Sequence, residues 1–271
     1  MTTASKSRKR GSMGNGNLVE TTEFDRSTRA SSYELALQMF PCARACELSE
    51  TLEWLGDIKD KTVLEIGAGQ GYLTEFLVRG VGAAGSVTAC DNSSKQLENL
   101  AVKVPSTNCV CCPSEHLPLP NESFDLVVSL ANFHHISDKQ QAFSECCRVL
   151  KRGGIFLLVD VCNGTPTQRY FDNVVDKICS TGHKHTFLDK RECQTHCANS
   201  GFDLVKWELL DVPWQFESLA DLGNFVHLIH DSVCSPATCV RMASEFLKIS
   251  EEMPERLRLE WQLFFMLAKK H

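Results

Sequence analysis

The residues of this chain best placed to do chemistry begin in the segment 63–74, VLEIGAGQGYLT. Val63, Leu64 and Ile66 form an apolar, β-branched run suited to a buried strand. Glu65 interrupts that run near its end. Gly67, Ala68, Gly69, Gln70 and Gly71 follow as a tight turn, and a helical pattern runs from Tyr72 to Arg79. A strand feeding a glycine-rich turn and a helix is the nucleotide-binding end of a doubly wound sheet. Glycine is needed there because the backbone must turn sharply and approach a ligand with no Cβ in the way.

The spacing narrows the ligand. A dinucleotide site calls for G-x-G-x-x-G, but here the pattern is G-x-G-x-G, and Tyr72 stands at the place of the third glycine. No Lys-Ser/Thr pair follows to make a phosphate loop. The Glu65 carboxylate at the strand tip repels phosphates and attracts a cation such as an α-amino group. Asp91 ends the second strand about twenty residues beyond the turn, where an acid can hold both hydroxyls of a ribose. Its alternative role is a helix N-cap. His134 and His135 follow the fourth strand, at the end of the sheet that faces the ligand crevice. A histidine there could remove a proton from a substrate near neutral pH, or pack or cap structurally.

The pattern E-x-G-x-G-x-G after a strand resembles motif I of the class I S-adenosylmethionine-dependent methyltransferases. That cofactor has an amino acid end and no phosphate, which suits Glu65. The segment SEHLPLPNESFDLVVSLANFHHISD resembles the surroundings of the fourth strand in relatives of the quinone-biosynthesis C-methyltransferases and the malonyl-carrier-protein O-methyltransferases. AFSECCRVLKRGGIFLLVD then matches their helix, turn and fifth strand, with Arg152 where proline is usual. The resemblance covers 60–161 and the ANSGF stretch at 198–202, and fades elsewhere. It implies that Glu65, Gly67, Ala68, Gly69 and Gly71 form the cofactor turn, and that Asp91 with Asn92 grips the ribose. The family usually has an aspartate after the third strand to bind adenine. Its place here is Pro113, preceded by Cys112, so the contact falls to Ser114 or Glu115. Leu130 and Ala131 would run beside the methionine part.

These residues need elements to hold them. Strands are expected at 62–66, 86–90, 107–111, 124–130, 155–161, 202–212 and 257–268, the last with helix as the alternative. Helices are expected at 31–39, 42–55, 71–80, 93–103, 138–150, 167–180, 188–200, 217–231 and 236–252. Strand–helix alternation signals a parallel sheet. The expected fold is α/β: a doubly wound, mostly parallel seven-stranded sheet, with N-terminal helices and a helical insertion near the C-terminus. By resemblance, the last strand is antiparallel and lies beside the sixth. Residues 1–24, rich in Ser, Thr, Gly and Asn with a basic cluster at 6–10, read as a disordered tail. Residues 25–271 read as one domain, with a cofactor-binding core at 57–161 and the insertion at 217–256 as a substrate lid. Tyr33 and Phe40 either close over the cofactor or pack in the core.

Composition sets bounds. The 271 residues carry a net charge of −6, which argues against a constitutive nucleic-acid grip. Hydrophobic residues make up 43% of the chain, yet none of the runs is long enough to span a bilayer. Fourteen cysteines without a secretory leader read as reduced thiols of a cytoplasmic protein, with nuclear import through KSRKR as a weaker possibility. Cys193, His196 and Cys197 share a helix face, but there is no paired C-x-x-C spacing, so no metal is expected. His183 and His185 sit in a glycine-containing linker; they read first as unliganded loop histidines, with a metal as the weaker reading. The expected partner is a small-molecule methyl acceptor. A catalytically silent module of the same fold and, further off, a Rossmann-type NAD(P) oxidoreductase are the alternatives.

Overall fold

The computed structural model describes residues 28–253 and 256–271. The tail at 1–24 and its basic cluster lie outside the described residues. Two helices, α1 (Arg29–Met39) and α2 (Ala45–Leu55), precede the first strand. The central run is β1 (Thr62–Ile66), α3 (Thr74–Val81), β2 (Ser86–Asp91), α4 (Ser94–Lys103), β3 (Asn108–Cys111), β4 (Phe124–Leu130), α5 (Lys139–Val149) and β5 (Leu150–Asp160). Short helices α6 (Pro166–Tyr170) and α7 (Asp176–Ile178) flank a π-turn at Phe171–Val175. Then come α8 (Lys190–Ser200), β6 (Phe202–Asp211), β7 (Trp214–Phe216), α9 (Leu219–Ile229), α10 (Pro236–Ala243), β8 (Ile249–Met253), β9 (Arg256–Leu259) and β10 (Gln262–Lys270).

Among the described residues the main sheet has seven strands in the order β3-β2-β1-β4-β5-β10-β6. β1 pairs in parallel with both β2 and β4, and β10 runs antiparallel to both β5 and β6. The expected fold is thus observed, including the inserted last strand. Strand order reverses between β1 and β4, and the crevice outside their carboxyl ends is where such sheets bind ligands. The buried apolar residues of β1 and β4 face both layers of the fold. Val63 and Val128 belong to one core, Leu64 and Val127 to the other.

Three sequence expectations need correction. The helix expected at 236–252 ends at Ala243, and residues 249–253 form β8. A second sheet, β7-β9-β8, claims that segment. Pairing with β9 outweighs the helix propensity of its two glutamates. The single strand expected at 257–268 is two strands that belong to different sheets, β9 and β10; the helical alternative does not form. The helix expected at 167–180 is broken by the π-turn, a feature that periodicity does not signal.

Candidate functional site

One large cavity, of about 1750 Å3, opens at the switch point. Its floor contains Glu65, Gly67, Ala68, Gly69, Asp91, Asn92, Ser114, Glu115, Leu130 and Ala131. Ten of the eleven residues assigned to the cofactor therefore share one wall system. Gly71 stands apart: its φ is +89°, and a Cβ there would meet Leu100 Cδ1 at 2.4 Å, so it lets the turn pack against α4.

Glu65 is 3% exposed and its Oε2 accepts from the Thr74 hydroxyl at 2.6 Å. Burial pushes its carboxyl up to about 8; the Thr74 bond opposes that shift and the nearby Asp91 charge adds to it. Without a cationic partner this carboxyl holds its proton at neutral pH. Asp91 is also buried, and its Oδ2 accepts from the Gly69 N–H at 2.8 Å. Its Oδ1 accepts from the Ser93 N–H at 2.9 Å. The N-cap of α4 is Ser93, whose side chain accepts from Gln96 N–H, so capping does not explain Asp91. Asp91 instead fastens the glycine turn to β2. Asp91 also lines the cavity, which puts its carboxylate within the site where a ligand hydroxyl would lie.

Gly67 and Gly69 have φ of +71° and +54°. A Cβ on Gly67 would lie 1.9 Å from Asn132 Cγ, and one on Gly69 3.0 Å from Gln96 Oε1. Close approach thus requires a bare backbone at Gly67, while at Gly69 the neighbour is the movable tip of Gln96 and the positive φ is what favours glycine. The turn is also tied to the N-terminal helices: Gln70 Nε2 donates to the Ala30 carbonyl at 2.6 Å, and the Tyr72 hydroxyl to the Arg44 carbonyl at 2.9 Å. Arg29, Tyr33, Leu37 and Arg44 line the cavity from that cap. Phe40 instead packs edge-on against Phe225 at 6.0 Å.

The far end of the cavity is aromatic and rich in histidine. Trp214 and Trp261 stack at 3.8 Å, and Phe171, Ile229, His230 and His183 join them in the wall. His134 is buried; its Nδ1–H donates to Asp160 Oδ1 at 2.7 Å, and its backbone N–H to Asp160 Oδ2 at 2.9 Å. One carboxylate therefore fixes both the ring and its backbone. His135 Nδ1 donates to the Lys184 carbonyl at 3.2 Å. Burial holds His135 and His183 well below the usual imidazole range, with neighbouring histidines and Arg29 adding to the shift. His230 is pushed down to about 3 by burial, then by Arg29 and Arg44.

The cysteines are all free thiols. Cys193 and Cys197 point into the core, while His196 stacks on Phe143 at 5.2 Å and bonds Gln140, so this trio does not converge. Sequence reasoning missed Arg29, Gln96, Asn132, Asp160, Phe171, His183, Trp214, His230 and Trp261 as cavity or cavity-supporting residues. Most come from segments outside the resemblance, and no local pattern marks them.

The residues fit S-adenosylmethionine. The two buried acids and the bare glycine backbone offer a cation site and a hydroxyl site and no phosphate clamp. Comparison with known proteins agrees. Residues 64–158 match the family described as a methyltransferase domain. The ubiquinone/menaquinone biosynthesis C-methyltransferase of Haemophilus ducreyi is 34% identical over 117 residues, covering 41% of this chain and 45% of that protein. The uncharacterized methyltransferase YcgJ of Bacillus subtilis is 30% identical over 176 residues, covering 60% of this chain and 65% of its own length. The matches thus span about half to two thirds of these relatives. In fold, the chain resembles a geranyl diphosphate C-methyltransferase of Streptomyces coelicolor, with a TM-score of 0.59, 14% identity, and coverage of 95% of this chain and 88% of that one. Residues 64–158 thus carry a methyltransferase domain, and the chain has the class I, Rossmann-like fold of S-adenosylmethionine-dependent methyltransferases and is similar in sequence to the quinone-biosynthesis C-methyltransferases.

Proposed function

We propose that this protein transfers the methyl group of S-adenosylmethionine to a small organic acceptor. The observation that carries the reading is one continuous cavity with a carboxylate-and-glycine floor at one end and an aromatic, histidine-lined wall at the other. Its volume, about 1750 Å3, exceeds the 300–1,000 Å3 typical of single-ligand pockets and leaves room for an acceptor beside the cofactor. Glu65 holds the cofactor's amino group, Asp91 with Asn92 the ribose, and Ser114 and Glu115 the adenine side. Leu130 and Ala131 border the methionine chain.

When bound, the cofactor supplies an activated methyl group on a sulfonium, ready for in-line displacement. The chain's own work is to align the acceptor and exclude water. Trp214, Trp261, Phe171 and Ile229 favour an acceptor with an apolar or planar body. His134, oriented by Asp160, and His135 are the groups proposed to take a proton where the acceptor's nucleophile arrives protonated.

Residues 25–271 act in this reading as one domain, with 57–161 as the cofactor core. The lid comprises α1 and the 217–256 region, where Ile229 faces the cavity and Phe225 does not. Fourteen free thiols suit a reducing compartment, and we place the protein in the cytoplasm. The net charge of −6 favours small-molecule over nucleic-acid partners. No helix among the described residues is long and apolar enough to cross a membrane.

Calorimetry with S-adenosylhomocysteine and with NAD tests the cofactor; binding of NAD alone would overturn the reading. Incubation with S-adenosylmethionine and a metabolite extract, read as new masses heavier by one methylene, tests turnover. Tight cofactor binding without any new mass would favour the silent module.

A further inference from the structure

We propose that His134, His135 and His183 form a binding site for one divalent transition-metal ion of the zinc type, opening into the acceptor end of the cavity. One potential ligand atom from each of the three lies within 4.8 Å of the other two. All three residues line the cavity. A tetrahedral zinc site with Zn–N bonds near 2.0–2.1 Å needs nitrogens roughly 3.3 Å apart. Closing that gap falls to His135 and His183, because Asp160 holds the His134 ring in place.

The outer partners argue for a ligand set over a chance cluster. Histidines that bind metals almost always donate the other ring N–H to a carboxylate or a carbonyl, which fixes tautomer and orientation. His134 Nδ1 has Asp160 at 2.7 Å, and His135 Nδ1 has the Lys184 carbonyl at 3.2 Å. His183 Nδ1 lies 2.7 Å from His185 Nδ1, and His185 Nε2 donates to Asp172 at 2.9 Å. In the metal-bound tautomer, His185 Nε2 donates to Asp172, and His185 Nδ1 turns from the His183 carbonyl, at 2.8 Å, to accept from His183 Nδ1–H. Each ligand then has a second-layer acceptor on its Nδ1, and Nε2 is the coordinating atom; with the ion bound, His134 and His135 no longer take a proton, so that role belongs to the metal-free protein alone.

A second group, Asp176, His183 and His185, has similar separations. It shares His183, so the two sets compete. The first is favoured because His185 and Asp176 are absent from the cavity wall and His185 already serves Asp172. Three neutral imidazoles leave a fourth position open, as in catalytic zinc sites. That position faces the space assigned to the acceptor. The metal would therefore select acceptors bearing a hydroxyl, thiol or carboxylate able to coordinate it. This role in acceptor choice rests on the methyl-transfer reading, whereas the ion binding itself does not.

The test uses the full chain, dialysed against a chelator and titrated with Zn2+ by calorimetry and with Co2+ by visible absorption. One equivalent should bind. The cobalt spectrum should show d–d bands and lack the near-ultraviolet charge-transfer band of cysteine sulfur. His183→Ala should weaken binding at least tenfold. Asp160→Asn, which keeps the shape of the outer partner, should weaken it by about 10–100-fold. If His183→Ala does not fold, His135→Ala at its half-buried position gives the same comparison. Absence of stoichiometric binding, undiminished binding in these variants, or a sulfur band would each overturn the proposal. S-adenosylhomocysteine affinity is measured on the same samples. Its absence in the wild type would sink the methyl-transfer reading while leaving the metal titration to stand or fall by itself.

Discussion

Glu65 must carry a charge to hold a cationic amino group, yet the ligand-free fold pushes its carboxyl up to about 8. At pH 7 only about 9% of the protein would then carry the ionised group, and at pH 6 about 1%. Cofactor binding should therefore expel a proton. Forming the anion at pH 7 costs about 1.4 kcal/mol, which the new ion pair must offset. Apparent affinity for S-adenosylhomocysteine should rise about ninefold between pH 6 and 7. Calorimetry in two buffers of different ionisation enthalpy should reveal close to one proton released per ligand at pH 7. Glu65→Gln keeps a partner for Thr74 and should bind more weakly, with a flat pH profile over that range. Thr74→Val removes a bond that favours the anion and should move the profile to higher pH. The same group acts on stability. Its raised folded value means that its contribution is fully present below about 4.5 and is lost as pH rises through about 8. The loss is at most about 5 kcal/mol, and Glu65→Gln should remove that slope from unliganded melting curves. A pH-independent affinity with no proton release would refute the reasoning.

Asp91→Ala removes a carboxylate assigned to the ribose as well as its tie to Gly69; charge-assisted bonds are worth about 1.5–3 kcal/mol each, so cofactor affinity should fall at least tenfold by calorimetry. A change below twofold would remove Asp91 from the site. Gly69→Val should abolish cofactor binding while circular dichroism still reports a folded protein, because the position is strained for a side chain and faces the cavity. The lid splits into two expectations. Phe225→Ala, in the core against Trp214 and Phe216, should cost about 3–5 kcal/mol in denaturant unfolding. Ile229→Ala, in the cavity wall, should raise KM for the acceptor and leave cofactor affinity within twofold.

The sheet was legible because β1, β2 and β4 are local signals: short apolar runs followed by turns, whose boundaries at 62–66 and 124–130 coincide with the observed strands. The carboxylate-and-glycine floor of the cavity was legible for the same reason, since Glu65, the glycines and Asp91 each sit at a fixed offset from a strand end. The acceptor end was not. It is assembled by the π-turn at Phe171, residues 181–184, Trp214 and Trp261, which lie far apart in sequence and meet only when packed. His183 and Asp160 carry no local mark of their roles; their meaning comes from His134 and His185 beside them. The 249–253 segment was misread because strand pairing with β9 is a tertiary event that overrides its helical spacing.

The placement of β10 governs how the chain can acquire its structure during synthesis. β5 and β6 flank β10 and make their neighbouring ladders through it. Both are translated earlier, so each presents an open edge until residues 262–270 emerge. At about 5–20 residues per second, the dozens of intervening residues impose an interval of several seconds. During it, two unpaired strand edges are free to pair with other chains. A nascent chain stalled before Gln262 would hold the whole cofactor floor in its sequence and still lack the strand that joins the two parts of the sheet. Chaperone dependence and aggregation should therefore concentrate in the last stage of translation, well after the glycine turn has left the ribosome.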